Sequence, residues 1–103
     1  MTQPGHLSAG LARITLAPGA RLGPHQVAGL EIVVVDAGTV VASVTKSTVS
    51  AWVRDPQGRS VFADSWEQLT GGYSLTVGEG STSGYANEST QAATLLLLTL
   101  TTA

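Results

Sequence analysis

GARLGPHQVAGLEIVVVDAG, residues 19–38, decides how the rest of the chain is read. A strand alternates its side chains between two faces, so His25 and Val27 share one face of a strand, and Glu31, Val33 and Val35 share one face of the next. If His25 points inward, Val27 does too. The run Ile32–Val35 is apolar at every position, which a half-solvated strand does not tolerate, so this strand needs cover on both faces. The stretch thus sets an imidazole and a valine on one face of a strand, and a carboxylate and two valines on one face of the next.

Outward from it, short β-rich segments are cut by turn signals at the spacing of an all-β sandwich or barrel, and no helical period stands out. Leu11–Leu16 alternates and is stopped by Pro18-Gly19, giving a first strand and a turn. Thr48–Val53 and Arg59–Ala63 flank Asp55-Pro56-Gln57-Gly58, a type I turn signal, and form a hairpin that adds surface able to overhang a barrel mouth. Leu95–Leu98 is a second run apolar on both faces. A small barrel has few elements to cover such runs from outside, so they predict a subunit interface and a homodimer. Trp52 and Trp66 flank the hairpin, and their large apolar area reads as core packing ahead of a ligand-stacking surface. Residues 1–10 read as a flexible arm carrying His6, and residues 11–103 as the single domain.

A second stretch repeats the message of the first. Gly19, His25, Glu31 and Gly38 fit G-x5-H-x-H-x3-E-x6-G, with Val27 in place of the second histidine. Gly72, Gly80 and Asn87 fit G-x5-P-x-G-x2-H-x3-N, with Gly78 for the proline and Ser83 for the histidine. On these two motifs the chain resembles the cupin superfamily, in the form of a small single-domain member with degenerate metal-binding motifs. The resemblance implies a cupin-like β-barrel of the double-stranded β-helix or jelly-roll type, with a pocket near one end. It also implies a metal held by three histidines and a glutamate, at positions that correspond here to His25, Val27, Glu31 and Ser83. Val27 has no donor atom and an unactivated serine hydroxyl is a poor ligand, so only His25 and Glu31 remain to hold a divalent transition metal unless Gln26, Tyr85, Asn87 or water completes the set. No cofactor is expected.

Composition narrows the alternatives. The chain has no cysteine, which removes disulfides, thiolate catalysis and cysteine-ligated metals. Five basic residues are scattered, and the net charge is −2, so neither nucleic acid nor an anionic membrane surface is an expected partner. Residues 1–10 lack the basic patch and apolar core of a secretory signal, and no run is long enough to span a bilayer, so a soluble protein, cytoplasmic by default, is expected. Gly71-Gly72 and Gly78-x-Gly80 lack the following helix and lysine of a phosphate loop, and Ser83-Gly84 lacks the surroundings of a nucleophile elbow.

The functional expectation is a barrel that binds a small organic molecule without a tightly held metal, in a pocket lined by His25, Val27, Glu31, Tyr73 and Ser83. His25 and Glu31 form its polar, proton-exchanging end. Tyr85 and Asn87 are further candidates for hydroxyl and amide contacts, with Asn87 equally suited to organising a turn. The alternatives are a metal-dependent oxygenase or isomerase using His25, Glu31 and water or rearranged ligands, and a structural dimer-forming module whose site is vestigial and whose barrel is filled.

Overall fold

The computed structural model describes residues 7–45, 51–63 and 66–102. These form ten strands: β1 Leu7–Leu16, β2 Arg21–Gln26, β3 Leu30–Ala37, β4 Thr39–Thr45, β5 Ala51–Arg54, β6 Ser60–Phe62, β7 Trp66–Thr70, β8 Ser74–Val77, β9 Thr82–Ala86 and β10 Ala93–Thr102. Every pairing is antiparallel, in one six-stranded sheet ordered β1-β10-β3-β8-β5-β6 and one four-stranded sheet ordered β2-β9-β4-β7. The described residues contain no helix, and hence none long and apolar enough to cross a membrane.

The alternation expected of β3 is present. Glu31, Val33 and Val35 are buried while Ile32 is half-buried and Val34 faces outward. Val33 and Val35, with Leu75, Val77 and Leu95 of the same sheet, meet Val40, Ala42 and Leu69 of the other, and all are fully buried. Burying a valine or leucine side chain contributes roughly 1.5–3 kcal/mol, so this layer between the sheets is what holds them together. Turns place the strands: Gly38, at φ 83°, reverses the chain between β3 and β4. A Cβ on Gly38 would lie 2.8 Å from the Ala92 carbonyl oxygen, so both its conformation and its space require glycine.

Three expectations change. β1 begins at Leu7, pairing Leu7 with Thr102 and Gly10 with Thr99, so residues 7–10 are ladder and not arm; His6 lies outside the described residues. The hairpin forms, with Gly58 N–H donating to the Asp55 carbonyl at 3.0 Å and Gly58 at φ 89°. It does not overhang the mouth: β5 and β6 extend the edge of the six-stranded sheet, and Pro56 packs within 3.0 Å of the position a Cβ on Gly72 would take, at the barrel end away from Glu31. The residues before Ala51 in its first arm lie outside the described residues. Trp52 and Trp66 are not core residues; they are 42% and 61% exposed. Alternation decides this, because Ala51 and Val53 take the inner face of β5 and leave Trp52 outside.

Candidate functional site

Glu31 sits at one end of the inner face of the six-stranded sheet, paired with Thr99 on β10 and Val77 on β8. From the four-stranded sheet, β2 and β9 place His25 opposite Ser83, and β4 and β9 place Tyr85 opposite Ala42. The two sheets therefore bring four polar side chains to one point in an otherwise apolar interior. His25 Nε2 lies 2.5 Å from Glu31 Oε1. The Ser83 hydroxyl donates to Glu31 Oε2 at 2.6 Å, and so does the Tyr85 phenol, also at 2.6 Å. Ser83 Oγ is also 3.3 Å from His25 Nε2.

The Glu31 side chain is 2% exposed and that of His25 is 36% exposed, so the carboxylate is sealed and the imidazole is its contact with solvent. A carboxylate at this depth loses several kcal/mol of hydration, offset here by three short donors on its two oxygens. Among the described residues no buried side-chain nitrogen or oxygen lacks a hydrogen-bond partner. Burial, then the Glu31 charge and the hydrogen bond to it, push the Tyr85 phenol far above its usual range. Tyr85 is thus a permanent donor to Glu31.

Outside this cluster lies a cleft of about 490 Å³ at the barrel mouth, with His25, Glu31 and Thr99 on its polar side and Leu22, Val27, Leu30 and Leu97 among its apolar walls. Gly29 forms part of the rim, where a Cβ would come within 2.0 Å of the Leu100 carbonyl oxygen. A second cleft, of about 360 Å³, lies on the outer face of the four-stranded sheet between Trp66, Pro24 and Gly84.

Of the residues singled out in the sequence, His25, Glu31 and Ser83 meet directly, and Val27 is buried in the wall beside them. Tyr73 is not brought to the site. It lies against the core beside Val35, whose N–H donates to the Tyr73 carbonyl, four residues and about 13 Å along β3 from Glu31. Tyr85 takes the place expected of Tyr73. Its sequence signal is the period of two from Ser83, which puts both side chains on one face of β9. Asn87 is fully buried and structural: its amide donates to the Leu16 and Gln91 carbonyls at 2.8 and 2.7 Å, and its Oδ1 accepts the Ser89 N–H at 3.0 Å.

This donor set does not fit a transition metal. Such a site needs three or more imidazole, carboxylate or thiolate ligands around an open position. Among the described residues no three histidine, cysteine, aspartate or glutamate side chains converge. His25 and Glu31 are bonded to each other, and the hydroxyls of Ser83 and Tyr85 donate to the carboxylate that would have to bind the ion.

No family model matches the sequence, and no curated protein matches it. Solved structures do. The cupin domain of Drosophila melanogaster CENP-C aligns with a TM-score of 0.65 at 12% identity, over 90% of this chain and 59% of its own; in another structure CENP-C is bound to CAL1. A cupin superfamily protein from Desulfitobacterium hafniense aligns with a TM-score of 0.63 at 13% identity, over 98% of this chain and 83% of its own. An oxalate oxidase aligns with a TM-score of 0.66 at 18% identity, over 91% of this chain and 42% of its own. The chain spans less than two thirds of the CENP-C chains it matches. At these identities the likeness establishes the fold alone: this chain has the fold of a small cupin barrel. The neighbours include an enzyme and a domain of a protein that binds another protein, so the fold itself selects neither role.

Proposed function

On the premise of a cupin barrel, we propose that this chain binds a small organic molecule at the barrel mouth without a tightly held metal, and that it works as a homodimer. One observation carries the ligand reading: an open cleft of about 490 Å³ that ends on the His25–Glu31 pair and is walled by leucine and valine. Ligand sites are clefts of this size, largely apolar, with a few converging polar groups. A filled, vestigial barrel has no such space. The ligand best suited is neutral and mainly apolar, with one hydroxyl or carbonyl group to engage His25. The buried Glu31 carboxylate repels an anion, and among the described residues the lining includes no arginine or lysine.

The chemistry available is proton exchange. His25 joins the sealed carboxylate to the cleft, so a proton can pass between a bound molecule and Glu31 through the imidazole, while Ser83 and Tyr85 hold the carboxylate in place. A thermal-shift screen of neutral small molecules tests the reading, run on the wild type and on Leu97→Trp, which fills the apolar wall. Compounds should raise the melting temperature of the wild type and lose that effect in Leu97→Trp. Equal shifts in both would remove the mouth as the site. Elemental analysis after dialysis against manganese, iron, copper, nickel and zinc tests the metal-free part, which fails if a stoichiometric ion is retained by the wild type and lost in His25→Ala.

A further inference from the structure

The outer face of the six-stranded sheet carries a single register row that crosses all six strands. Leu11 pairs with Leu98, Leu98 with Ile32, Ile32 with Thr76, Thr76 with Trp52 and Trp52 with Phe62. No member is charged. Leu11 is 73% exposed, Phe62 61% and Trp52 42%, and no described element packs over them. The row beside it continues the apolar surface through Leu96 and Val34 and is bounded by Arg13 on β1 and Arg54 on β5. Isolated exposed apolar residues are ordinary, but a contiguous band across one sheet face is not.

We infer that this face seats a second copy of the chain, packed sheet to sheet about a two-fold axis parallel to the strands. The inference names the surface of the homodimer proposed above and does not depend on the mouth ligand. Two sheets pack readily at aligned angles about 10 Å apart. Six strands about 4.8 Å apart, three alternate residues deep on β1, β10 and β3 and two on β8, β5 and β6, give a face roughly 25 Å wide and about 13 to 20 Å deep. Side-chain relief raises that projected area toward the ~800 Å² that each partner buries in a standard interface.

The relief of the face selects the axis. Trp52 and Phe62 stack with ring centroids 4.0 Å apart and form an aromatic ridge at the β5–β6 end, whereas the β1–β10 end carries Leu11 and Leu98. An axis along the strands lays the ridge of one copy on the leucines of the other at both ends. An axis across the strands lays ridge on ridge and holds the leucine ends apart. Charge is compatible with the first arrangement. It brings Arg54 of one copy over Leu96 of the other, between Arg13 and Asp36 of the existing ion pair, where Asp36 retains 45% exposure of its side chain to offset the second arginine.

The test uses the full chain, in sedimentation velocity and light scattering across a range of concentrations. The wild type should run at twice its 10.5 kDa mass, and Leu98→Arg and Phe62→Ser should each weaken self-association at least a hundredfold while keeping the wild-type circular dichroism spectrum. A wild type that is monomeric at every concentration overturns both the homodimer and this face. A dimer that survives both substitutions overturns this face alone. Because the chain has no cysteine, the axis can be read from introduced ones: a mixture of Leu11→Cys and Phe62→Cys chains should form the mixed disulfide under mild oxidation. A Leu11→Cys chain that instead cross-links to itself overturns the axis.

Discussion

Tyr85→Phe isolates one of the three hydrogen bonds to Glu31 that tie the two sheets together at the site. It removes one oxygen, leaves the ring in its buried place and withdraws one donor from Glu31 Oε2, while Ser83 still donates to that oxygen at 2.6 Å. A hydrogen bond to a charged acceptor contributes about 1.5–3 kcal/mol. A loss near 2 kcal/mol is expected, because the remaining hydroxyl keeps the carboxylate partly satisfied. For a domain of about 100 residues each kcal/mol moves the melting temperature by roughly 4–8 °C, so the variant should melt about 8–16 °C lower by circular dichroism or calorimetry.

The pH dependence carries a second signature. The folded phenol titrates far above the unfolded value near 10. Above pH 10 the unfolded chain therefore binds fewer protons than the folded one, and this contribution is complete below pH 10 and falls as pH rises, by about 1.4 kcal/mol per unit. The gap between wild type and Tyr85→Phe should be constant up to about pH 9 and shrink beyond pH 10. A gap under about 2 °C at neutral pH, or parallel curves through pH 11, would refute the assignment of Tyr85 as a permanent donor to a buried carboxylate.

Ser83→Ala should also destabilise the chain, by about 1–3 kcal/mol, and a double-mutant cycle with Tyr85→Phe should show coupling of 0.5 kcal/mol or more, since both donors share Glu31 Oε2. Chemical denaturation of the four proteins gives the number, and strict additivity would contradict the shared acceptor. Asn87→Ala should lower stability by at least about 2 kcal/mol, because it leaves the buried Leu16 carbonyl without its amide partner and frees the 87–91 turn; urea midpoints measure this. Gly29→Ala should cost about 3 kcal/mol or more and open the mouth, since its new methyl group would meet the Leu100 carbonyl; hydrogen exchange should quicken first in β10 near Leu100. Adding a chelator to wild-type protein should leave the melting temperature unchanged within about 1 °C, whereas the double variant Val27→His and Ser83→His, which restores imidazoles at two motif positions, should be stabilised by zinc or manganese.

The fold was legible because its signals are strictly local. Turn glycines with the right spacing, the alternation in Leu11–Leu16 and the Asp55-Pro56-Gln57-Gly58 turn each depend on a few adjacent residues, and the structure contains each of these turns and strands. The site was legible only where one strand's period fixed a facing. His25, Glu31 and Ser83 inherit theirs from motif positions. Tyr73 and Tyr85 could be sorted only by register, since Tyr73 immediately precedes β8 at the far end of the core while Tyr85 lies one period from Ser83. The tryptophans were misread for a related reason: size predicts burial on average, but in a β-strand the neighbours decide which face is inside, and Ala51 and Val53 on β5 and Leu69 on β7 had already taken it. That same error hid the aromatic half of the outer apolar face, although Ile32–Val35 and Leu95–Leu98 announced that some face needed cover.

The cluster separates two things that the cupin motifs usually carry together. Gly19, Gly38, Gly72 and Gly80 all adopt positive φ, and Asn87 binds three backbone segments through its side chain and amide, so the motif spacing is required by the turns of the barrel whether or not an ion is bound. The ligand positions answer to a different constraint. With a buried glutamate in place and two imidazoles missing, the carboxylate would be left with a single partner, a state that costs several kcal/mol. Ser83 supplies a hydroxyl where the motif has an imidazole, Tyr85 supplies another from the next inward position on β9, and Val27 turns the remaining ligand position into apolar wall. Each change makes sense only with the others: a hydroxyl at Ser83 beside a metal would be a weak ligand, and a valine at 27 beside an unpaired carboxylate would deepen its isolation. The barrel thereby holds a buried carboxylate, bonded to the half-exposed His25, at the inner end of an apolar cleft.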